Sequence, residues 1–269
     1  MARPFIYIHM LTSLDGKIWG EFTKLPEESA AAPLFKEIGF TSKIWKTEAN
    51  LSGTNTALND YTYHKEPDLD LNAAQVPDGD YIALEKAERY SFVLDRKGVL
   101  GYEKNEIFYA NVHMHIVEVL TEKASNAYKD FLRRKKVSYI ICGKEDIDFE
   151  LMFEKMSSLF GVKTLQLAGG GSLNWTFLRK GYVAEVSYII TAGADGSTKS
   201  PQLFMAKEGL SEDIPVSFDL VEVKAEKESA AVWLRYKVKK VWKKEEWTEK
   251  FGKGPKDFVA ADNGTKGCK

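Results

Sequence analysis

Apolar residues run almost unbroken from Pro4 to Leu11, rich in Ile, Phe and Tyr, and predict a strand. A glycine-bounded loop follows, Thr12-Ser13-Leu14-Asp15-Gly16-Lys17. Residues 29–39 have helical spacing: Ser29 can cap, Leu34, Phe35 and Ile38 share a face, and Gly39 can stop the helix. The stretch Leu51-Ser52-Gly53-Thr54-Asn55-Thr56 is a short apolar piece broken by a turn, and residues 64–80, with Pro67 and Pro77, form a surface loop. The periodicity then sharpens. Strand patterns at Tyr90–Leu94, Ile107–Ala110 and His115–Leu120 precede a helix over 122–134, with Ala124, Tyr128, Phe131 and Leu132 on one side. Val137–Cys142 is continuous enough for a parallel strand covered on both faces. Phe149, Met152, Phe153, Met156, Leu159 and Phe160 repeat at helical spacing between a capping Asp148 and a terminating Gly161, which makes them core.

Strand Thr164–Ala168, the turn Gly169-Gly170-Gly171, a helix from Ser172 to Lys180 and strand Val183–Thr191 complete an alternation that predicts βαβ units and a parallel sheet. Two alternating runs, Phe218–Val223 and Val232–Val238, predict an antiparallel hairpin on the sheet edge. From Lys237 onward ten Lys stand against five Asp and Glu, the mark of a solvated, partly flexible end. The division expected is one folded domain over 1–240 and a charged, partly flexible tail over 241–269.

Charge changes the picture mainly by exclusion. The 269 residues carry 38 Lys and Arg against 39 Asp and Glu, net −1, so no chain-wide field concentrates nucleic acid. Cys142 and Cys268 are the only cysteines, which rules out a disulfide framework and an all-cysteine zinc site. No apolar stretch approaches the roughly 18 residues of a membrane span. The expectation is a cytoplasmic protein with no membrane or nucleic-acid partner.

The strongest chemical signal is Gly169-Gly170-Gly171-Ser172 between a strand and a helix. Backbone without side chains lets a phosphate approach, and the first amides of a helix point at it. The spacing is not G-x-G-x-x-G, which fails at Asn174. Other candidates are weaker. His64-Lys65-Glu66 has the His-x-Glu spacing of zinc deaminases without the Pro-Cys-x-x-Cys partner. His113 and His115 share a strand face with no third ligand, so no metal is expected. Ser197 and Ser200 lie near Asp195 without a Gly-x-Ser-x-Gly elbow.

Three segments taken in order carry a resemblance: Ser13-Leu14-Asp15-Gly16-Lys17, Gly53-Thr54-Asn55-Thr56 with Asp60, and the glycine turn. Val93-Leu94-Asp95, Phe177-Leu178 with Gly181, and Trp233-Leu234-Arg235-Tyr236 support it. Over about residues 4–238 the chain resembles the reductase domain of the riboflavin-pathway deaminase-reductases. That family implies a dihydrofolate-reductase-like fold: three α/β/α layers, a mostly parallel mixed sheet and a C-terminal antiparallel hairpin. It also implies NADPH held by Thr12, Gly53, Thr56 and Asp60, with the pyrophosphate on Gly169, Gly170, Gly171, Ser172, Leu173 and Asn174. Arg96 falls where the family meets the adenosine phosphate, and an arginine fork suits a 2′-phosphate. Asp15 and Ser13 are the candidates for proton handling beside the nicotinamide. A homodimer is implied as well, and the long hairpin edge independently asks for cover.

The substrate positions depart from the family. Ala168 stands where it has Glu, Tyr61–Pro67 replaces Asp-Pro-x-Leu-Thr-x-Arg, and Phe22–Pro26 replaces Ser-x-Trp-Ile-Thr. The function expected is NADPH-dependent reduction of a small heterocyclic or carbonyl substrate. Two alternatives stay open: a genuine 5-amino-6-(5-phosphoribosylamino)uracil reductase with a rebuilt site, and a non-catalytic NADP-binding protein.

Overall fold

The computed structural model describes residues 3–41, 44–206 and 214–252. Strand β1 (Phe5–Thr12) is central, because its alternating Ile6 and Ile8 on one face and Tyr7 on the other are all fully buried. Helix α1 (Pro26–Lys36) begins at Pro26, not at Ser29 as the spacing predicts. Proline needs no amide partner in a first turn and its φ is already helical, so it sets the start. The chain then passes through Gly39 in a wide turn over Glu37–Thr41, so Gly39 does not end the helix. The piece read as apolar with a turn is strand β2 (Ala49–Gly53) and helix α2 (Thr54–Asp60).

Strands β3 (Arg89–Leu94), β4 (Glu106–Tyr109) and β5 (Val112–Leu120) follow. Helix α3 (Asn126–Arg134) starts four residues later than its periodicity suggests, where the Ser125 hydroxyl accepts the Tyr128 amide at 3.1 Å. Strand β6 (Ser138–Ile141) and helix α4 (Phe149–Phe160) come next, α4 capped by Asp148 and closed by a left-handed Gly161 as expected. Leu159 is the exception in its apolar stripe, facing outward. Then come β7 (Thr164–Leu167), α5 (Gly171–Arg179), β8 (Glu185–Ile190) and a hairpin of β9 (Val216–Glu226) and β10 (Ala231–Val241). Helix α6 (Lys244–Phe251) gathers Trp242, Trp247 and Phe251 into one aromatic cluster. The remainder of the expected tail lies outside the described residues.

The described strands form one ten-stranded sheet in the order β4-β5-β3-β2-β7-β1-β8-β10-β9, with β6 also on β5. The outer edge of β5 is shared: β4 pairs antiparallel with Val112–His115 and β6 parallel with Val117–Leu120. From β6 to β8 all pairs are parallel, and β10 and β9 close the other side antiparallel. One face carries α4 and α5 through Met152, Phe153, Met156 and Phe177. The other carries α3 through Tyr128 and Phe131, and α1 through Ala31 and Leu34. Each such apolar side chain contributes about 1.5–3 kcal/mol on burial, which holds the helices to the sheet. The loop over 61–88 covers the outer edge of β6 with a two-bond bridge between Tyr81 and Tyr139.

His9 shows how α1 is fixed to the sheet. Fully buried, its Nε2 lies 3.0 Å from the Phe35 carbonyl and its Nδ1 2.9 Å from the Ser187 hydroxyl. Burial lowers its pKa to about 4, so the ring is neutral, with Nε2–H donating to Phe35 and Nδ1 accepting from Ser187. Trp233 donates its indole N–H to the same Ser187 oxygen at 2.8 Å. Tyr236 lies on the opposite face of β10, stacked on Tyr188.

Candidate functional site

In a parallel sheet the loops that follow the strands gather at one edge, where ligands bind. Here that rim holds Thr12 and Ser13 after β1, Gly169–Gly171 after β7, Gly53 and Thr54 after β2, and Arg96 after β3. A notch opens in it. The β1–β7 ladder stops at Ile8 and Leu167, while β1 continues along β8 to the pair Thr12 and Ile190. Beyond Ile8, β1 and the glycine turn diverge, with Met10 reaching toward Gly169.

The three glycines do different work. A Cβ on Gly171 would lie 2.0 Å from the Gln202 carbonyl oxygen, so this glycine exists to admit residues 201–205. A Cβ on Gly170 would meet nothing closer than Ile18 at 4.0 Å. Gly169 has a positive φ of 94°. Helix α5 opens from Gly170 with no side chain capping it, which leaves its amide end for a ligand. Ser172 and Leu173 are half-buried there. Asn174, expected among the phosphate contacts, is turned inward instead: it is fully buried and donates to the Leu203 carbonyl at 3.1 Å. Gly171 and Asn174 thus secure the segment that flanks the notch.

The loop after β1 is tied in the same way. Ser13, buried, donates to Asp15 Oδ1 at 2.6 Å and accepts the Lys17 amide at 2.9 Å. Asp15 also accepts the amides of Asp195 and Gly196 at 3.0 and 2.9 Å. The Ser13 hydroxyl and these amides hold its carboxyl far below the usual carboxylate range. An ionised group with three donors has no proton to give, so the structure casts Asp15 as the tie between two loops. Asp195 acts likewise, accepting from Ser200 at 2.7 Å and from the Phe22 amide, which leaves Ser197 and Ser200 as loop residues. Lys17, which the motif contains without a role, is 6% exposed, a signal that sequence spacing does not carry.

Farther along the rim, Thr54 donates to the Leu94 carbonyl at 2.6 Å and joins the ends of β2 and β3. Thr56 is half-buried in the first turn of α2. Asp60 ends that helix, about 9 Å along its axis from Thr54, and burial raises its pKa. Asp95 lies below the surface and accepts the amides of Gly98, Val99 and Leu100 and the Tyr128 hydroxyl, shaping the turn that presents Arg96.

Beside Thr12, Ser13 and Leu14 lies a cavity of about 570 Å³, walled by Tyr188, Phe204, Phe218 and Tyr236. The metal-like histidines are engaged elsewhere, His115 with Ser138 at 2.8 Å and His113 with Glu106 at 3.4 Å. Among the described residues no group of three or more His, Cys, Asp or Glu could hold a metal ion, and no helix is long and apolar enough to cross a membrane.

The model of the RibD C-terminal domain family matches residues 4–231. Among solved structures, a pyrimidine reductase-like protein from Corynebacterium diphtheriae is similar at a TM-score of 0.58 and 14% identity, over 88% of this chain and 92% of that one. Riboflavin biosynthesis reductase Rib7 of Saccharomyces cerevisiae gives 0.53 at 16%, over 88% and 90%. RibD of Acinetobacter baumannii gives 0.55 at 17%, and there the match spans 88% of this chain but 59% of the other. The three-layer fold expected from the resemblance is the fold found.

Proposed function

The chain belongs to the RibD C-terminal domain family, and on that premise we propose that it is an NADPH-dependent reductase of a small heterocyclic or carbonyl substrate. One observation carries the cofactor: the notch at the end of β1 and β7 pairs an uncapped helix end with a glycine whose outer side is open. The residues fit the group. Gly170, Ser172 and Leu173 would hold the pyrophosphate, Thr12, Gly53 and Thr56 line the neighbouring strand ends, and Arg96 faces the adenosine phosphate. NADPH supplies the hydride when bound. The protein aligns it, and with Asp15 ionised and the Ser13 hydroxyl proton committed to Asp15, proton delivery falls to a water molecule.

Gly170→Val tests this directly. Gly170 has a φ of −82°, which valine adopts without strain, so the variant should fold and lose NADPH binding. A folded Gly170→Val protein with wild-type NADPH affinity refutes the cradle. Steady NADPH oxidation over pterins, pyrimidines and quinones then separates a reductase from a non-catalytic binder.

The proposed active form is a homodimer. Leu220, Val221 and Val223 on β9 are 56%, 48% and 57% exposed, on a long edge strand beside a register shift. A twofold contact would cover them. Sedimentation at micromolar concentration checks it, and a clean 30 kDa species overturns it.

A further inference from the structure

The turn after β3 is locked to its neighbours. The Arg96 carbonyl accepts the Thr121 hydroxyl at 2.7 Å, which joins it to the end of β5. Beyond β5, the Glu122 amide donates to the Gly143 carbonyl at 3.0 Å, so the loop after β6 is drawn to the same corner. Gly143 has a φ of 105°, and a Cβ there would lie 2.2 Å from the Asp146 carbonyl oxygen. The Asp148 amide returns to the Cys142 carbonyl at 3.0 Å. Residues 142–148 therefore have little freedom, and their backbone places Asp146 beside Arg96. The Asp146 carboxylate pairs with Arg96 Nη1, and the side chains are 77% and 51% exposed.

We propose that Asp146 is a specificity residue that competes with the 2′-phosphate of NADPH for Arg96 and so tempers the preference for NADPH over NADH. This rests on the reading of the rim as an NADPH cradle. The competition is uneven. An exposed ion pair is weak and screened by salt, whereas a phosphate dianion engages a guanidinium fork through two parallel bonds. NADPH therefore displaces the carboxylate and binds somewhat less tightly for having to do so. NADH, with no 2′-phosphate, leaves the pair intact.

The test is direct binding of NADPH and NADH, read by fluorescence of the reduced nicotinamide, to the wild type, Asp146→Asn, Arg96→Ala and the double variant. Asp146→Asn should tighten NADPH roughly twofold to fivefold, the range of an exposed ion pair, and leave NADH unchanged. That gain should shrink at high ionic strength and vanish in the Arg96→Ala background. If Arg96→Ala keeps the wild-type ratio of NADPH to NADH affinity, the phosphate reading of Arg96 falls and the proposal with it. If Arg96→Ala lowers that ratio while Asp146→Asn leaves NADPH unchanged or weaker, the proposal alone falls.

Discussion

Two halves of the sheet fix their loops with the same kinds of group and opposite solvent. Around β1, Asp15 is exposed and fully ionised, and His9 is buried and neutral. Around β3 and β5, Asp95 and Glu118 are buried acids whose pKa values burial raises, Glu118 well above its ordinary range. Glu118 accepts the Tyr102 hydroxyl on Oε1, and its Oε2 has no partner among the described residues. The β1 half therefore sheds protons on folding, and the β3–β5 half keeps them. Acid should loosen the first and alkali the second. His115, toward the other end of β5, is the exception in the second half: burial lowers its pKa to about 4, so it sheds its proton on folding and adds to the acid limb.

The largest effect should come from Asp95→Ala. It strands the amides of Gly98, Val99 and Leu100, at an expected cost of about 3–5 kcal/mol in urea unfolding. Asp15→Ala should move the midpoint much less, because the amide bonds it breaks to Asp195 and Gly196 are exposed and only the Ser13 hydroxyl is buried; equal losses would erase the contrast between the halves.

Next is Gly171→Ala, which drives a Cβ into the Gln202 carbonyl and should destabilise by about 2–3 kcal/mol. Gly170→Ala should stay within about 0.5 kcal/mol, since its Cβ enters open space. Similar unfolding midpoints for the two would show that residues 201–205 yield easily.

The pH limbs follow. The folded pKa of His9 lies near 4, below the ordinary 6.5. Its contribution is whole above 6.5 and is lost as pH falls through 6.5 toward 4. Between pH 7.5 and 5 this amounts to about 2 kcal/mol, which His9→Gln should remove from the pH dependence. An unchanged acid limb in His9→Gln would place the sensitivity elsewhere. Glu118 has the opposite sign: its contribution is whole below its ordinary pKa and is lost as pH rises through the raised folded value. Glu118→Gln should flatten the fall in stability that begins as pH rises above the ordinary glutamate range.

Much of the fold was legible because its signals are local. Asp148 and Gly161 bracket α4, and the strand–glycine–helix junction at 169–171 stands where its composition places it. Helix α2 was not legible: Thr54–Asp60 is short, has no apolar stripe and follows a glycine, so it reads as a turn. The late start of α3 likewise turns on Ser125, one of several polar residues that compete for the cap.

The candidate site divides the same way. The sequence by itself determined which residues reach the rim, because the alternation of strand and helix brings every strand-following loop of a parallel sheet to one edge. It also determined that a glycine run lies there. Only the tertiary structure decided what each residue does on arrival. Gly171 answers to a carbonyl thirty-one positions later, Asn174 to Leu203, Asp15 to the amides of Asp195 and Gly196, and Arg96 to Asp146. The physical reason is range. Caps and periodicity act within a few residues, whereas these partners meet across the fold, and a side chain's solvent and hydrogen-bond donors exist only once the chain has closed around it.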